Sequence, residues 1–337
     1  MSKIKLDTKA YKNNLNQITK KIGSKDRIIL VLKDNAYGHG ATALAPLASE
    51  LGFKFCAVKD EREAFELVDF FEKILVLSHI PNGDENSEFI YAINDIASLR
   101  KIKNNTKIHL AIDTLMHRNG ILYDELDLAF EIIKDKNIIL LGAFTHFRSA
   151  DILNADYFVQ KQNFNKTKER IRNFCISQNF QNPIFHSHNS AGLERVYELD
   201  DELVRIGMSQ FGYCQFNNSL SLKPVLSLWA DKVSDRILKA GSSVGYGAKF
   251  TTTKDIKIAT YDLGYGDGLL RYNGVGDLFL ANKNKILGTM SMDSFSCIDS
   301  GDSVCVFDDA AVFAKYFNTI EYDILVKLSP FIQRVLV

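Results

Sequence analysis

The feature that most constrains the fold is an alternation of two patterns through the first two-thirds of the chain. Short apolar runs rich in β-branched residues alternate with longer segments whose apolar residues recur at helical spacing. The first pattern is typical of buried parallel strands, and the second is typical of amphipathic helices that pack on such strands. The predicted strands are residues 28–32, 53–58, 74–78, 89–93, 108–112, 140–145, 183–186 and 203–208.

Helices are predicted in most of the connections between these strands. They cover residues 41–51, 61–70, 96–102, 123–134, 156–178 and 191–196, while the third connection carries no clear pattern. Eight strand–helix units are the number in a parallel (β/α)8 barrel of the TIM type, so we expect that fold. A doubly wound open sheet uses fewer strands and usually one dominant glycine-rich turn, which makes it the second interpretation. The first seven residues are expected to lead directly into helical periodicity.

The pattern changes after about residue 226. Strand-like runs at 257–263, 278–280, 286–290 and 303–307 are separated by Gly, Asn and Asp turns, and helical spacing returns only at 310–317. We therefore predict an α/β chain of two domains, a barrel over residues 1–225 and a mainly β domain over residues 226–337.

Composition excludes several classes of partner and site. The 41 Lys and Arg balance the 41 Asp and Glu, so no basic excess favours nucleic acid or an anionic membrane surface. Five scattered cysteines form neither a disulfide framework nor a metal-binding pattern, which indicates a reducing compartment. No segment resembles a signal peptide or a membrane span, and we expect a cytoplasmic protein.

The segment from Val31 to Gly40 carries the strongest chemical signal. Lys33 follows the first predicted strand of the barrel, at the rim where barrel enzymes place their catalytic groups. A lysine desolvated there has a lowered pKa and can condense with an aldehyde such as pyridoxal phosphate. For an isolated lysine, an ordinary solvent-exposed side chain is the simpler interpretation.

Residues 33–40, Lys-Asp-Asn-Ala-Tyr-Gly-His-Gly, resemble the cofactor-lysine segment of alanine racemases. Further segments resemble that family in the same order along the chain: 113–118, 146–147, 186–190, 205–207, 244–247, 264–268 and 292–293, followed by Tyr322. The resemblance implies a racemase that interconverts L- and D-alanine on pyridoxal 5'-phosphate and supplies D-alanine for peptidoglycan. It also implies a homodimer with composite active sites.

The same resemblance assigns roles to residues. Lys33 is implied to bind the cofactor covalently and to act as one base, and Tyr246 is implied to be the second base, contributed by the β domain of the other subunit. Arg205 is implied to face the pyridine nitrogen, with His186 bonded to it and His146 nearby. The residues implied to contact the cofactor phosphate are Tyr37, Asn189, Ser190, Gly207, Met208 and Tyr322.

Substrate contacts are implied for Arg118 and Met292, near the carboxylate, with Asp293 in the same segment. Tyr265 and Arg271 resemble residues at the mouth of the substrate channel. Taken singly, most of these residues have an ordinary structural interpretation, since Asn-Ser is a common helix cap and a tyrosine is often a packed aromatic. A partnered core histidine is the preferred interpretation for His79 and His109.

The chain departs from the family at several positions. Many members carry a carbamylated lysine that holds the substrate arginine, and this chain has Ala111 there, so the orienting group for Arg118 is absent or is replaced by an anion or by Asn119. Leu115 stands where glycine is usual. A racemase of broader range, for example for serine, a cofactor-binding carrier or regulatory protein, and a pyridoxal-dependent decarboxylase on a similar barrel are the alternatives.

Overall fold

The computed structural model describes residues 1–196, 199–216 and 220–337. It divides into two compact units, and each is assembled from separate stretches of the chain. The unit that we call the barrel unit comprises Lys12–Asp34 and Ala45–Leu222. The unit that we call the sheet unit comprises Met1–Tyr11, Asn35–Leu44 and Lys223–Val337.

The chain begins with a strand, β1 (Lys3–Leu6), so the prediction that it leads directly into helical periodicity is wrong. The reason is a pattern of period two, in which Ile4 and Leu6 are fully buried while Lys3 and Lys5 are not. Helix formation starts only at Thr8–Ile22, where the Asp7 carboxylate accepts hydrogen bonds from the first backbone N–H groups.

The barrel unit contains a closed ring of eight parallel strands, which confirms the predicted barrel. The strands are β2 (Ile28–Val31), β3 (Phe55–Val58), β4 (Lys73–Val76), β5 (Ile90–Ile93), β6 (Lys107–Ala111), β7 (Ile139–Phe144), β8 (Ile184–His186) and β9 (Glu202–Ile206). Every residue of β2, β3 and β5 is buried, as expected for strands covered on both faces.

Helices occupy the predicted connections, with some shortened ends. They are Ala41–Glu50, Glu61–Phe65, Ile96–Lys101, Leu126–Asp135, Asp156–Ser177 and Ser190–Arg195. The third connection, residues 77–89, contains no helix among its described residues. Its fold is held instead by the Glu85 carboxylate, which accepts from the backbone N–H groups of Asn82 and Lys103 and bonds His79. No helix in the described part of the chain is both long and apolar enough to cross a membrane.

The sheet unit is mainly β, as predicted. Its longest strand, β10 (Leu226–Leu238), pairs with β1 and with two strands that follow it in sequence. The remaining strands are β11 (Ser243–Val244), β12 (Phe250–Thr251), β13 (Ile256–Tyr261), β14 (Ile286–Leu287), β15 (Phe295–Ile298), β16 (Ser303–Phe307) and β17 (Gln333–Leu336). The predicted strand at 278–280 is reduced to a single bridge, and the helices are Ala311–Phe317 and Glu321–Val326.

Candidate active site

Lys33 opens a turn of unusual backbone conformation immediately after β2. The four residues from Asp34 to Tyr37 have φ between 52° and 55°, which is the left-handed helical region. Residues with a side chain avoid this region, because it costs about 1–2 kcal/mol per residue. Strain of this kind persists only where surrounding contacts enforce it, and it is concentrated at functional sites.

Local hydrogen bonds hold the left-handed turn. The Gly40 N–H donates to the Asn35 carbonyl at 2.9 Å, and the Asn35 side chain accepts from the Ala41 N–H at 2.9 Å. Gly38 has φ 82°, and a Cβ there would lie 2.0 Å from the carbonyl oxygen of Leu325. Glycine is therefore required at position 38, and the direction of the chain after Lys33 is fixed.

The Lys33 amine is half-buried, and this burial lowers its pKa. The neighbouring Asp34 carboxylate opposes that shift, while Arg118 adds to it. Asp34 itself pairs with Lys59, with 3.0 Å between Lys59 Nζ and Asp34 Oδ1. Within the described residues Lys33 makes no hydrogen bond, so its amine is available for reaction with a ligand.

Arg205 on β9 is held by several acceptors and is only 5% exposed. Its Nη1 donates to the His186 carbonyl at 2.7 Å and bonds His186 Nδ1 at 2.8 Å. Its Nη2 donates to the Thr145 carbonyl at 2.7 Å and lies 3.4 Å from His146 Nδ1. The guanidinium also stacks over Phe144, with its carbon 5.2 Å from the ring centre. This arrangement fixes the plane of the guanidinium.

The histidines around Arg205 are neutral at physiological pH. Burial, followed by the nearby arginine, lowers the pKa of His186 far below its usual range and lowers that of His146 to about 3. The positive charges of Arg118 and Lys33 also lower the pKa of His146.

Sequence reasoning missed one member of this network. His109 Nδ1 lies 2.7 Å from His186 Nε2, so His109 belongs to the network, although it was interpreted as an ordinary core histidine. No local signal in the sequence marked this bond, because His109 and His186 lie on different strands, 77 residues apart in the chain. His79, in contrast, bonds Glu85 at 3.0 Å, as expected for a partnered structural histidine.

A group of donors after β8 and β9 is suited to an anion. Ser190 Oγ accepts from the backbone N–H groups of Gly207 at 3.1 Å and Ser209 at 3.2 Å. Asn189 caps the following helix by accepting from the Gly192 N–H at 2.8 Å, which is the ordinary role that its sequence allows. Met208 is fully buried. Sequence reasoning did not single out Ser209.

Ser209 gives a direct test of whether a phosphate group fits. Its Oγ is buried and, within the described residues, has no hydrogen-bond partner. The orphaned Ser209 hydroxyl, together with the Ser190 hydroxyl whose oxygen already accepts from the Gly207 and Ser209 N–H groups, supplies O–H donors of the kind that bind phosphate. Together with the unpartnered amine of Lys33, these residues fit an aldehyde that carries a phosphate.

Arg118 lies on an exposed loop and has no ion pair or hydrogen bond within the described residues, Asn119 included. Ala111 is 3% exposed and offers only a methyl group. Leu115 has φ 151°, so it keeps a conformation that favours the glycine it replaces. The loop is held by Asp113, whose Oδ1 accepts from the Leu115 N–H at 3.0 Å and the His117 N–H at 3.1 Å.

The remaining predicted site residues belong to the sheet unit. Tyr37 and Tyr322 are in contact edge to face, with ring centres 5.7 Å apart, so the two tyrosines expected at one phosphate do lie together. The Arg271 guanidinium lies 5.7 Å from the ring centre of Tyr265.

Tyr246, Met292 and Asp293 are exposed on the sheet unit. Tyr246 is 67% exposed, and its carbonyl accepts from Thr289 Oγ1 at 3.1 Å. Met292 is 60% exposed, and its carbonyl accepts from the Gly266 N–H at 2.6 Å. The side chains of these three residues are therefore presented to solvent in the single chain.

A closed parallel barrel with a low-pKa lysine and an oriented arginine at the carboxyl ends of its strands defines a barrel enzyme. Comparison with known proteins identifies the family of barrel enzymes to which the chain belongs. Sequence models of the alanine racemase N-terminal and C-terminal domains match residues 6–215 and 225–336. The chain therefore belongs to the alanine racemase family, and it is an amino-acid racemase.

Relatives and solved structures agree. The chain is 64% identical to an alanine racemase of Campylobacter curvus and 63% identical to one of Campylobacter concisus, covering 99% of each protein in both comparisons. It superposes on an alanine racemase of Clostridium difficile with TM-score 0.89 at 25% identity, covering all of this chain and 95% of the other. An alanine racemase of Bartonella henselae, described with covalently bound pyridoxal phosphate, matches with TM-score 0.83 at 22% identity, covering 100% and 99%.

Proposed function

We propose that the chain interconverts L-alanine and D-alanine with pyridoxal 5'-phosphate as cofactor and two bases, Lys33 and Tyr246. The observation that carries the proposal is the partly buried amine of Lys33, which has a lowered pKa and no hydrogen-bond partner within the described residues. Such an amine is uncharged more often than an exposed lysine, and only the uncharged form attacks an aldehyde or accepts a proton.

The proposed cofactor site uses the donors already described. Lys33 would hold the aldehyde carbon covalently, and the residues that would bind the phosphate are Tyr37, Asn189, Ser190, Gly207, Met208 and Tyr322. The buried hydroxyl of Ser209 is available to the same phosphate. When bound, the cofactor supplies an electron-withdrawing ring that acidifies the hydrogen on the α-carbon of the amino acid.

Arg205 is proposed to face the pyridine nitrogen. An arginine does not give up its proton, so the ring nitrogen stays unprotonated and withdraws electrons less strongly. With the cofactor bound, this arrangement would favour return of a proton to the α-carbon over transamination. His186 and His146, both neutral, help to fix the arginine without adding a competing charge.

The proton balance of the reaction requires one base on each face of the α-carbon. Lys33 Nζ removes or returns a proton on one face, and the Tyr246 oxygen does the reverse on the other, so that one proton leaves and one returns. Arg118 and Met292 are proposed to contact the substrate carboxylate, with Asp293 close by, and Tyr265 and Arg271 to line the entrance for substrate.

Tyr246 needs surroundings that make a phenol a base, since the usual pKa is near 10. We propose that these come from a second subunit of a homodimer, in which the domain of residues 226–337 completes the partner's site. The 67% exposure of Tyr246 in the single chain supports this assignment. The proposed setting is the cytoplasm, where D-alanine is made for peptidoglycan, with no nucleic acid or membrane partner.

A solvent-exchange experiment tests the proposal. The purified protein with pyridoxal phosphate is incubated in deuterated water with single L-amino acids, and the products are separated by chirality and mass. We expect D-alanine with one deuterium at the α-carbon. Comparable conversion of serine would favour the racemase of broader range, and exchange-free recovery of every amino acid would favour the carrier protein.

A further inference from the structure

Three buried side chains form a continuous hydrogen-bonded series inside the barrel unit. Arg205 Nη1 lies 2.8 Å from His186 Nδ1, and His186 Nε2 lies 2.7 Å from His109 Nδ1. His186 and His109 are fully buried, and Arg205 is 5% exposed. The series runs across β9, β8 and β6, so it begins at the guanidinium proposed to face the cofactor and ends deep in the barrel.

The arginine determines which atom donates and which accepts in each hydrogen bond of this series. A guanidinium has donors and no acceptor, so His186 Nδ1 must accept and cannot carry a proton. Since burial keeps His186 neutral, its single ring proton is on Nε2. His109 Nδ1 must then accept that proton in a hydrogen bond, which leaves the proton of neutral His109 on its own Nε2.

Burying the His109 imidazole in the barrel interior costs free energy. Its Nε2 is buried and has no hydrogen-bond partner within the described residues, and an unsatisfied buried donor costs about 1–3 kcal/mol. Gly142 on the neighbouring strand leaves room for this ring, since a Cβ there would lie 2.9 Å from His109 Nε2, although the Ile184 carbonyl oxygen at 2.4 Å also requires glycine at that position. A leucine would fill this volume without the orphaned donor, so packing does not account for the histidine.

The hydrogen bond to His186 does account for the histidine at position 109. If His186 carried its proton on Nδ1, two donors would face each other between the imidazole and Arg205, and the guanidinium would have to move. An acceptor at His186 Nε2 prevents this by stabilising the other tautomer. We propose, resting on the proposed role of Arg205, that His109 is a positioning residue that fixes the His186 tautomer and thereby holds Arg205 toward the cofactor ring nitrogen.

The first measurement reads the tautomers directly in the full-length protein, before and after addition of pyridoxal phosphate. The chain has seven histidines, so ¹⁵N-histidine labelling gives few ring signals, and single substitutions assign them. We expect both His186 and His109 to carry the proton on Nε2. A proton on Nδ1 of His186 in the wild-type protein overturns the proposal, and this readout does not depend on activity.

The second measurement compares variants. His109→Leu removes the acceptor, His109→Gln restores one through its side-chain carbonyl, and Phe55→Leu is the matched control, because the Phe55 ring contacts His109 edge to face at 6.1 Å without bonding it. We expect His109→Leu to perturb the His186 ring signals and to raise the ratio of transamination to racemisation several-fold. Phe55→Leu should leave the ratio unchanged, and His109→Gln should return it toward wild type.

The outcomes separate this inference from the proposed function. If His109→Leu and Phe55→Leu change the ratio equally, His109 acts only through packing and the proposal is wrong. If the His186 signals change while the ratio does not, the tautomer does not position Arg205 and the proposal is again wrong. A wild-type protein without racemase activity would contradict the proposed function, while the tautomer spectra would still decide the hydrogen-bonded series.

Discussion

The proposed site residues of the barrel unit and of the sheet unit differ in how far the single chain prepares them. Arg205 is 5% exposed and His186 is fully buried, and both have fixed partners. Tyr246 is 67% exposed and Met292 is 60% exposed. The barrel unit therefore contains groups that are oriented before any partner arrives, whereas the exposed groups of the sheet unit require further surroundings. A donor that is already oriented needs no rearrangement during a reaction, so the buried and bonded Arg205 is suited to electrostatic stabilisation.

The comparison predicts the largest effect at Lys33. Lys33→Ala removes both the covalent anchor and one base, so we expect racemisation to fall by about 10³-fold or more, with no recovery at high substrate concentration. Lys59→Ala is the matched control, because it removes a neighbouring amine that pairs with Asp34 and is proposed to do no chemistry. Borohydride reduction of the wild-type protein with its cofactor should label Lys33, and a label on another lysine would reject the assignment.

The next prediction tests whether the sheet unit works in trans. Lys33→Ala and Tyr246→Phe are each expected to be inactive, but mixing them under subunit exchange should restore activity. In each mixed dimer one site has lost both bases and the other retains both. Random exchange makes half of the dimers mixed, so recovery should approach roughly a quarter of wild-type activity. Activity near zero, with exchange demonstrated by mass spectrometry, would place both bases on one chain.

A third prediction concerns Glu202, which lies on β9 three residues before Arg205. Glu202 is 2% exposed and is bonded by Lys168 Nζ at 2.7 Å, with Ser187 and His188 beside it. Burial alone would raise the pKa of Glu202, but His188, Lys168 and Ser187 together lower it to about 2. Because this value is below that of the unfolded chain, the stabilisation is present above about pH 4.5 and is lost as the pH falls toward 2.

Glu202→Gln should therefore lower the free energy of unfolding at pH 7 by about 3 kcal/mol and flatten its dependence on pH between about 2 and 4.5. Glu72→Gln is the control, since both partners of its ion pair with Lys54 are exposed and its loss should change stability little. Urea titrations across this pH range provide the measurement. Equal effects of the two substitutions would show that the buried pair adds nothing beyond a surface pair.

The sequence predicts the barrel well because each of its strands is a local pattern of buried apolar residues. It fails for β1, where a strand of four residues is stabilised by pairing with Leu226–Trp229 and Gln333–Leu336, which are distant in sequence. The same limit applies to the site. The segment 33–40 is recognisable by itself, but the bond between His109 and His186 joins residues 77 positions apart. Long-range pairing of this kind has no local signature.

The smallest predicted effect concerns Leu115, in the loop that carries Arg118. Alanine is normally more stable than glycine by about 0.5–1 kcal/mol, because glycine loses more backbone freedom on folding. At φ 151° that order should reverse, since Leu115→Ala keeps the strained conformation and Leu115→Gly relieves strain of about 1–3 kcal/mol.

Leu122 provides the reference position for this test, because it lies in an ordinary extended conformation with φ −73°. There Leu122→Gly should be less stable than Leu122→Ala, as is usual. Thermal and urea unfolding of the four variants measures the relative stability of the Gly and Ala variants at both positions. If Leu115→Gly is also less stable than Leu115→Ala, the backbone at position 115 is not strained, and neither is this part of the loop that contains Arg118. If the order reverses, the loop adopts a glycine-like path that is imposed by Asp113 and its hydrogen bonds to the Leu115 and His117 N–H groups.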